Sequence, residues 1–125
     1  MKNKELVKEL WGRFSSGDYL STKSLFSDKL SIIWPTSRER YESCDEFIAV
    51  NEVFGTSWTF EILSLEETTT GKVISITYVT SPKCLDSFYA TSVFEFSNEL
   101  ITTIETYWAF QDKQPEWRKH LSKVY

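Results

Sequence analysis

An acid and two large aromatics close a strand-like stretch late in the chain, Glu105-Thr-Tyr107-Trp108, and a Pro-bounded pair, Pro115-Glu-Trp117-Arg118, follows. A carboxyl among aromatic rings is desolvated, which raises its pKa and suits it to acid–base work near neutral pH. If Ile101, Thr103, Glu105 and Tyr107 share a concave face, Glu105 is the candidate general acid or base. The hydroxyls of Tyr107 and Tyr78 are then candidate donors to a developing oxyanion. The competing reading is that Glu105 pairs with Arg118 or Arg40 and only fixes the C-terminal segment. A one-residue error of alternation would put Glu105 on the outside.

Other residues are candidates for holding a ligand rather than transforming it. Trp34, Trp58, Trp108 and Trp117 can line a site for a flat apolar molecule, with core packing as the bland alternative for at least two of them. Trp108 falls on the opposite face from Tyr107 in this alternation and is expected at a subunit interface. Trp117 and Arg118 are expected to plug the open end of the fold, where Arg118 can clamp a carboxylate. Arg38 and Arg40, after Trp34-Pro35, can take an anionic group by bidentate hydrogen bonds, although loop arginines are usually solvated. Ser92, small between Ala90 and Phe94, makes room deep in a pocket or allows close packing of a helix. Asn51 lies on the inner stripe of a helix, where its amide must be satisfied by a cap near Gly55 or by a ligand.

Composition removes several chemistries. His120 is the only histidine and sits in a polar Lys-His-Leu-Ser-Lys tail, which argues against a His/Asp dyad and a His-based metal site. Cys44 and Cys84 have no metal-like spacing and read as free thiols, with a disulfide as the alternative; the start of a helix can lower the Cys44 pKa, but no base is at hand to make it a nucleophile. Only four glycines are present and none forms a phosphate loop. The net charge of −4 and the absence of a basic patch argue against nucleic acid. No long apolar run follows the N-terminal lysines, so neither a leader nor a membrane span is expected, and a cytoplasmic protein is. No cofactor is expected. Aromatics make up 16% of the chain, more than a plain core of this size needs, which favours a ligand cavity or an oligomer interface.

These residues must be positioned by a single domain spanning 1–125. Leu6, Val7, Leu10, Trp11 and Phe14 recur at helical spacing, and the helix stops at Ser15-Ser16-Gly17. A second short helix capped by Asp18 follows, with Tyr19 and Phe26 on its apolar face. Leu30 to Trp34 reads as a short strand ended by Pro35, and 35–43 as polar loop. Ser43-Cys-Asp-Glu46 has capping-box spacing, which predicts a helix from near Cys44 to about Phe54. The period then changes to two. Trp58, Phe60 and Ile62 alternate, Leu63 and Leu65 continue one step out of phase, and the slip predicts a bulge. Val73 to Thr80, Phe88 to Phe96 and Leu100 to Trp108 continue the alternation, with turns at Thr70-Gly71 and Ser97-Asn98-Glu99. Helices followed by an antiparallel meander make an α+β class. A curved antiparallel sheet wrapped around the N-terminal helices would leave a cone-shaped pocket.

Three segments carry a resemblance to the SnoaL-like branch of the nuclear transport factor 2-like (cystatin-like) superfamily. They are Trp34-Pro35 with Arg38-Glu39-Arg40; Asn51 with Phe54-Gly55 and Trp58, similar to an Asn-x-x-Tyr-Pro-Gly-x-Trp pattern; and the acid-x-Tyr-Trp strand end with the later Pro-x-Trp-Arg. The chain departs from that pattern at Ser43 and Cys44, where Gly is common, and at Phe54-Gly55-Thr56. The resemblance implies a cone-shaped α+β fold and a homodimer packed through the sheet. Its members include isomerases, dehydratases, polyketide cyclases and non-catalytic binders, so no single activity follows. The expectation is a domain that binds a small apolar or aromatic molecule. If it is an enzyme, it is a cofactor-independent isomerase or cyclase using Glu105; otherwise it is a ligand-binding, dimerisation or protein-interaction module.

Overall fold

The computed structural model describes residues 1–125 and shows two helices over one strongly curved, unclosed sheet of six strands. Helix α1 spans Asn3–Ser15 and buries Leu6, Val7, Leu10, Trp11 and Phe14, the stripe its spacing predicts. Helix α2 spans Cys44–Phe54. Its start is set by Ser43, whose Oγ accepts from the Glu46 backbone N–H at 3.1 Å, while Glu46 Oε1 accepts from the Glu42 N–H at 2.9 Å. The strands are β1 (Phe26–Trp34), β2 (Glu39–Tyr41), β3 (Thr59–Glu67), β4 (Val73–Ser81), β5 (Cys84–Ser97) and β6 (Leu100–Phe110), in the spatial order β2-β1-β6-β5-β4-β3.

Three details differ from the sequence reading. The sheet is mixed, because β1 pairs in parallel with β6, through Ile32↔Ile104 and Ile33↔Glu105. Only β3 to β6 form the antiparallel meander. The segment Leu20–Leu25 is a 3-10 turn rather than an α-helix, and Phe26 already opens β1. Residues 39–41, read as loop, form the edge strand β2 paired with β1.

One face of the sheet carries the core. Its register aligns Val73, Phe94, Ile104 and Ile32 in one row, and Ser75, Ser92 and Thr106 in the next. The first row is fully buried apolar surface. The second is polar and buried, so every hydroxyl must find a partner. Trp11 Nε1 donates to Ser75 Oγ at 3.1 Å, and Ser92 Oγ bonds Thr106 Oγ1 at 2.8 Å. Trp11 also stacks on Phe60 at 5.4 Å, which seats α1 on this concave face. The bulge expected near Leu63 falls between Ile62 and Ser64.

The turn after α1 is fixed by contact. Gly17 has φ +76°, and a Cβ there would lie 2.9 Å from both Thr56 Cβ and Thr56 O. Tyr19 Oη donates to the Gly55 carbonyl at 2.5 Å. Both ties hold the end of α2 against the start of the chain, and the end of α2 is one wall of the site.

Candidate functional site

A pocket of about 410 Å³ opens where β1 and β6 end, β5 begins and α2 finishes. That volume is within the range of small-molecule sites. Trp34, Phe88 and Trp108 come from the sheet, and Val50, Asn51, Val53 and Phe54 from α2. Thr36, Ser37 and Glu39 come from the β1–β2 turn and the start of β2. The rings form a connected set. Trp34 and Trp108 lie 5.8 Å apart at 80°, Phe88 and Trp108 6.2 Å apart at 89°, and Phe54 and Phe88 6.3 Å apart at 64°. Val53 is 88% exposed and Phe54 36%, so the α2 wall is apolar surface in contact with solvent.

Glu39 is the only ionisable side chain in the lining. Its Oε2 accepts from Tyr41 Oη at 3.2 Å. Tyr41 in turn packs edge-on against Trp34 at 4.8 Å. Its phenol is pushed up to about 12, first by burial and then by the hydrogen bond and charge of Glu39. The phenol therefore keeps its proton across the physiological range and continues to donate it to Glu39. Trp108 Nε1 is a second polar feature: it is buried and no protein group accepts from it. Asn51 Nδ2 donates to the Phe47 carbonyl at 2.8 Å, which fixes the amide on its own helix rather than as a side-chain cap for Gly55.

The strand phase around Glu105 is the main correction. Between Glu95 and Phe96 the β5–β6 register slips: Phe96 pairs with Ile101 but Glu95 pairs with Thr103. Thr102 is the extra residue. A bulge of this kind inverts the alternation beyond it. Ile104, Thr106 and Trp108 consequently take the concave face, whose aligned neighbours Phe94, Ser92 and Ala90 are fully buried. Glu105 and Tyr107 take the convex face, in register with Val93 and Thr91. Tyr107 Oη donates to Glu105 Oε2 at 2.9 Å, and this hydrogen bond is the leading reason the Tyr107 pKa is raised. Glu105 bridges neither Arg40 nor Arg118. Arg40 Nη2 pairs with Glu42 at 2.9 Å, and the Arg118 guanidinium lies 5.2 Å above the ring of Trp117.

The remaining candidates divide cleanly. Trp34 and Asn51 line the pocket. Trp58 lies behind it, stacked on Phe54 at 4.3 Å with Nε1 donating to the Phe54 carbonyl at 3.0 Å. Ser92 is deep in the sheet and satisfied by Thr106, so it belongs to the core. Tyr78 is on the convex face, opposite Tyr89, and its hydroxyl bonds Gln111 Oε1 at 2.7 Å. Arg40 lines a separate shallow hollow with Lys29 and Glu42. Trp117 is 76% exposed in a 3-10 turn, Glu116–Arg118, and plugs nothing. Burial pushes the Cys44 thiol up despite the opposing pull of Lys23, contrary to the lowering expected at a helix start. Trp108, expected at an interface, is instead a pocket wall. Phe88, Glu39 and the exposed apolar face of α2 were not singled out by sequence. Only the run Trp34-Pro-Thr-Ser-Arg-Glu39, a short turn returning beside an aromatic, hinted at Glu39.

No family model matches the chain, and no curated protein does. Solved structures do. A provisionally named ketosteroid isomerase from Kribbella flavida DSM 17836 superposes with a TM-score of 0.82 at 14% identity, covering 98% of this chain and 89% of that one. An NTF-2 like protein of unknown function from Burkholderia xenovorans LB400 gives 0.79 at 18% identity, covering 98% and 94%. The chain has the nuclear transport factor 2-like fold. An LEH-like epoxide hydrolase from M. tuberculosis shares it at a TM-score of 0.69 and 14% identity, covering 86% of this chain and 82% of that one. At such identities the nuclear transport factor 2-like cone is what is shared. The expected α+β class follows from it, and activity does not. No helix is long and apolar enough to cross a membrane.

Proposed function

We propose that the chain is a small-molecule-binding domain whose ligand, a small and largely apolar or aromatic molecule, sits in the pocket between the end of α2 and the ends of β1 and β6. The observation that carries this reading is the convergence of Trp34, Phe54, Phe88 and Trp108 on an open cavity of about 410 Å³. Apolar side chains left in contact with solvent at a concave site lower the free energy of a ligand that covers them. Thermal-shift screening of a small-molecule library tests it, because a ligand selective for the folded state raises apparent stability. Hits are expected to lose their effect in Phe54→Ala, whose ring is a partly exposed wall. Hits that act equally on the variant would refute the placement.

A second reading is supported by Glu39. An oriented carboxylate at the mouth of an apolar pocket can accept a proton from a bound substrate, which suits a cofactor-independent isomerase or cyclase. Here Glu39 takes the role that the alternation had given to Glu105. Full turnover by Glu39→Gln on a substrate found by screening would eliminate it.

The domain is further proposed to form a homodimer through the convex sheet face. Ile74 and Tyr107, in register with Val93 and Thr91, and Tyr89, in register with Tyr78, stand more than a third exposed there. Ile74→Asp is expected to convert a dimer to a monomer by light scattering; a wild-type monomer at all concentrations would refute it.

A further inference from the structure

The lining of the pocket discriminates among ligand charges. We infer that it takes an organic cation: an apolar molecule bearing a tertiary or quaternary ammonium group. This inference rests on the pocket's being a small-molecule site and adds the class of molecule that fills it.

The argument is electrostatic. An aromatic ring carries negative potential on its faces, and a cation within about 6 Å of a ring centroid is attracted to it, most strongly over Trp. Two of the rings in the wall are Trp34 and Trp108, set at 80° with centroids 5.8 Å apart, and Phe88 meets Trp108 at 89°. Rings at near right angles form the sides of a corner, so a compact ammonium group can approach more than one of them at once. Glu39 contributes a formal negative charge to the same lining, and the hydrogen bond from Tyr41 holds that carboxylate in place.

Lys, Arg and His are all missing from the lining. Arg38 and Arg40 flank Glu39 in sequence, but neither lines the pocket: Arg38 is exposed, and Arg40 is engaged with Glu42 and lines a different hollow. An anionic ligand would meet ring faces and a carboxylate with no counter-charge. A neutral one would gain only from apolar burial. The net charge of −4 adds a long-range field of the same sign.

Three ligands of similar shape separate the possibilities: benzyltrimethylammonium, its uncharged carbon isostere neopentylbenzene, and benzenesulfonate. Binding is read by titration calorimetry and by quenching of tryptophan fluorescence at low and high salt. The cation is expected to bind at least about tenfold more tightly than the isostere, a difference of the size a partly desolvated cation–π contact supplies. The sulfonate is expected not to bind. Glu39→Gln, an isosteric change at an exposed position, should weaken the cation about three- to fivefold and the isostere not at all. Trp108→Phe keeps a ring, and Trp108→Leu should weaken the cation more than Trp108→Phe does. Equal binding of the cation and its isostere would overturn the charge assignment while leaving the pocket a small-molecule site. Failure of all three ligands to bind would overturn both.

Discussion

The indole N–H groups of Trp58 and Trp108 offer a matched pair of perturbations. Both rings belong to the aromatic cluster at the pocket, and Trp→Phe removes the same atoms from each. Their hydrogen bonding differs. Trp58 Nε1 donates to the Phe54 carbonyl at 3.0 Å, whereas Trp108 Nε1 is buried without a protein acceptor. A satisfied hydrogen bond contributes about 0.5–1.5 kcal/mol net, while a buried unsatisfied donor costs about 1–3 kcal/mol. The loss of ring area is taken as comparable at the two sites and cancels in the comparison. Trp58→Phe should therefore be more destabilising than Trp108→Phe by about 1.5–4.5 kcal/mol. Urea unfolding followed by circular dichroism, at fixed protomer concentration, measures this. With a urea slope of about 2 kcal/mol/M for a domain of this size, the two midpoints should lie about 0.75 M or more apart. Coincident midpoints would refute the reasoning, because they would mean that the Trp108 N–H is as well satisfied as that of Trp58.

Further outcomes follow from single contacts. Gly17→Ala combines a left-handed backbone with a Cβ 2.9 Å from Thr56, and should cost about 2 kcal/mol or more in denaturant unfolding; a neutral effect would show that this turn relaxes freely. Ser43→Ala removes the acceptor for the Glu46 N–H and should cost about 1 kcal/mol, read as a lower unfolding midpoint. Tyr41 has its folded-state pKa raised to about 12 from an ordinary 10.0, so the folded state favours the protonated phenol. That stability is fully present below pH 10 and is lost as pH rises toward 12; Tyr41→Phe should flatten the fall in unfolding midpoint across this window. Glu105→Gln should leave ligand binding in the pocket unchanged but lower the Tyr107 pKa, seen as an earlier phenolate absorbance, because the carboxylate is what holds the Tyr107 proton.

The physics explains which readings survive the passage from sequence to structure. Helix α1 was legible because its apolar residues repeat with the helical period and all face one sheet. The limits of α2 were legible because Ser43 and Glu46 cap locally, and capping needs no tertiary partner. The bulge in β3 was visible because its flanking residues are apolar and change phase. The bulge in β6 was invisible. Its extra residue, Thr102, lies beside Thr103, and two adjacent threonines carry no apolar signal by which to count phase. Alternation counted straight through Thr102 puts everything beyond it on the wrong face, which is why Glu105 and Tyr107 exchange places with Trp108.

The chain's own periodicity and capping determined that it would be an α+β domain rich in buried aromatics. Those features depend on residues within a few positions of each other. The tertiary structure alone decided which acid meets the aromatic pocket. That depends on a single inserted residue in β6 and on the parallel pairing of β1 with β6, which carries the β1–β2 hairpin, with Trp34 and Glu39, to the same end of the sheet as Trp108. Strand pairing across the whole length of the chain has no local signature, so the exchange of Glu105 for Glu39 at the pocket could be seen only once the sheet was assembled.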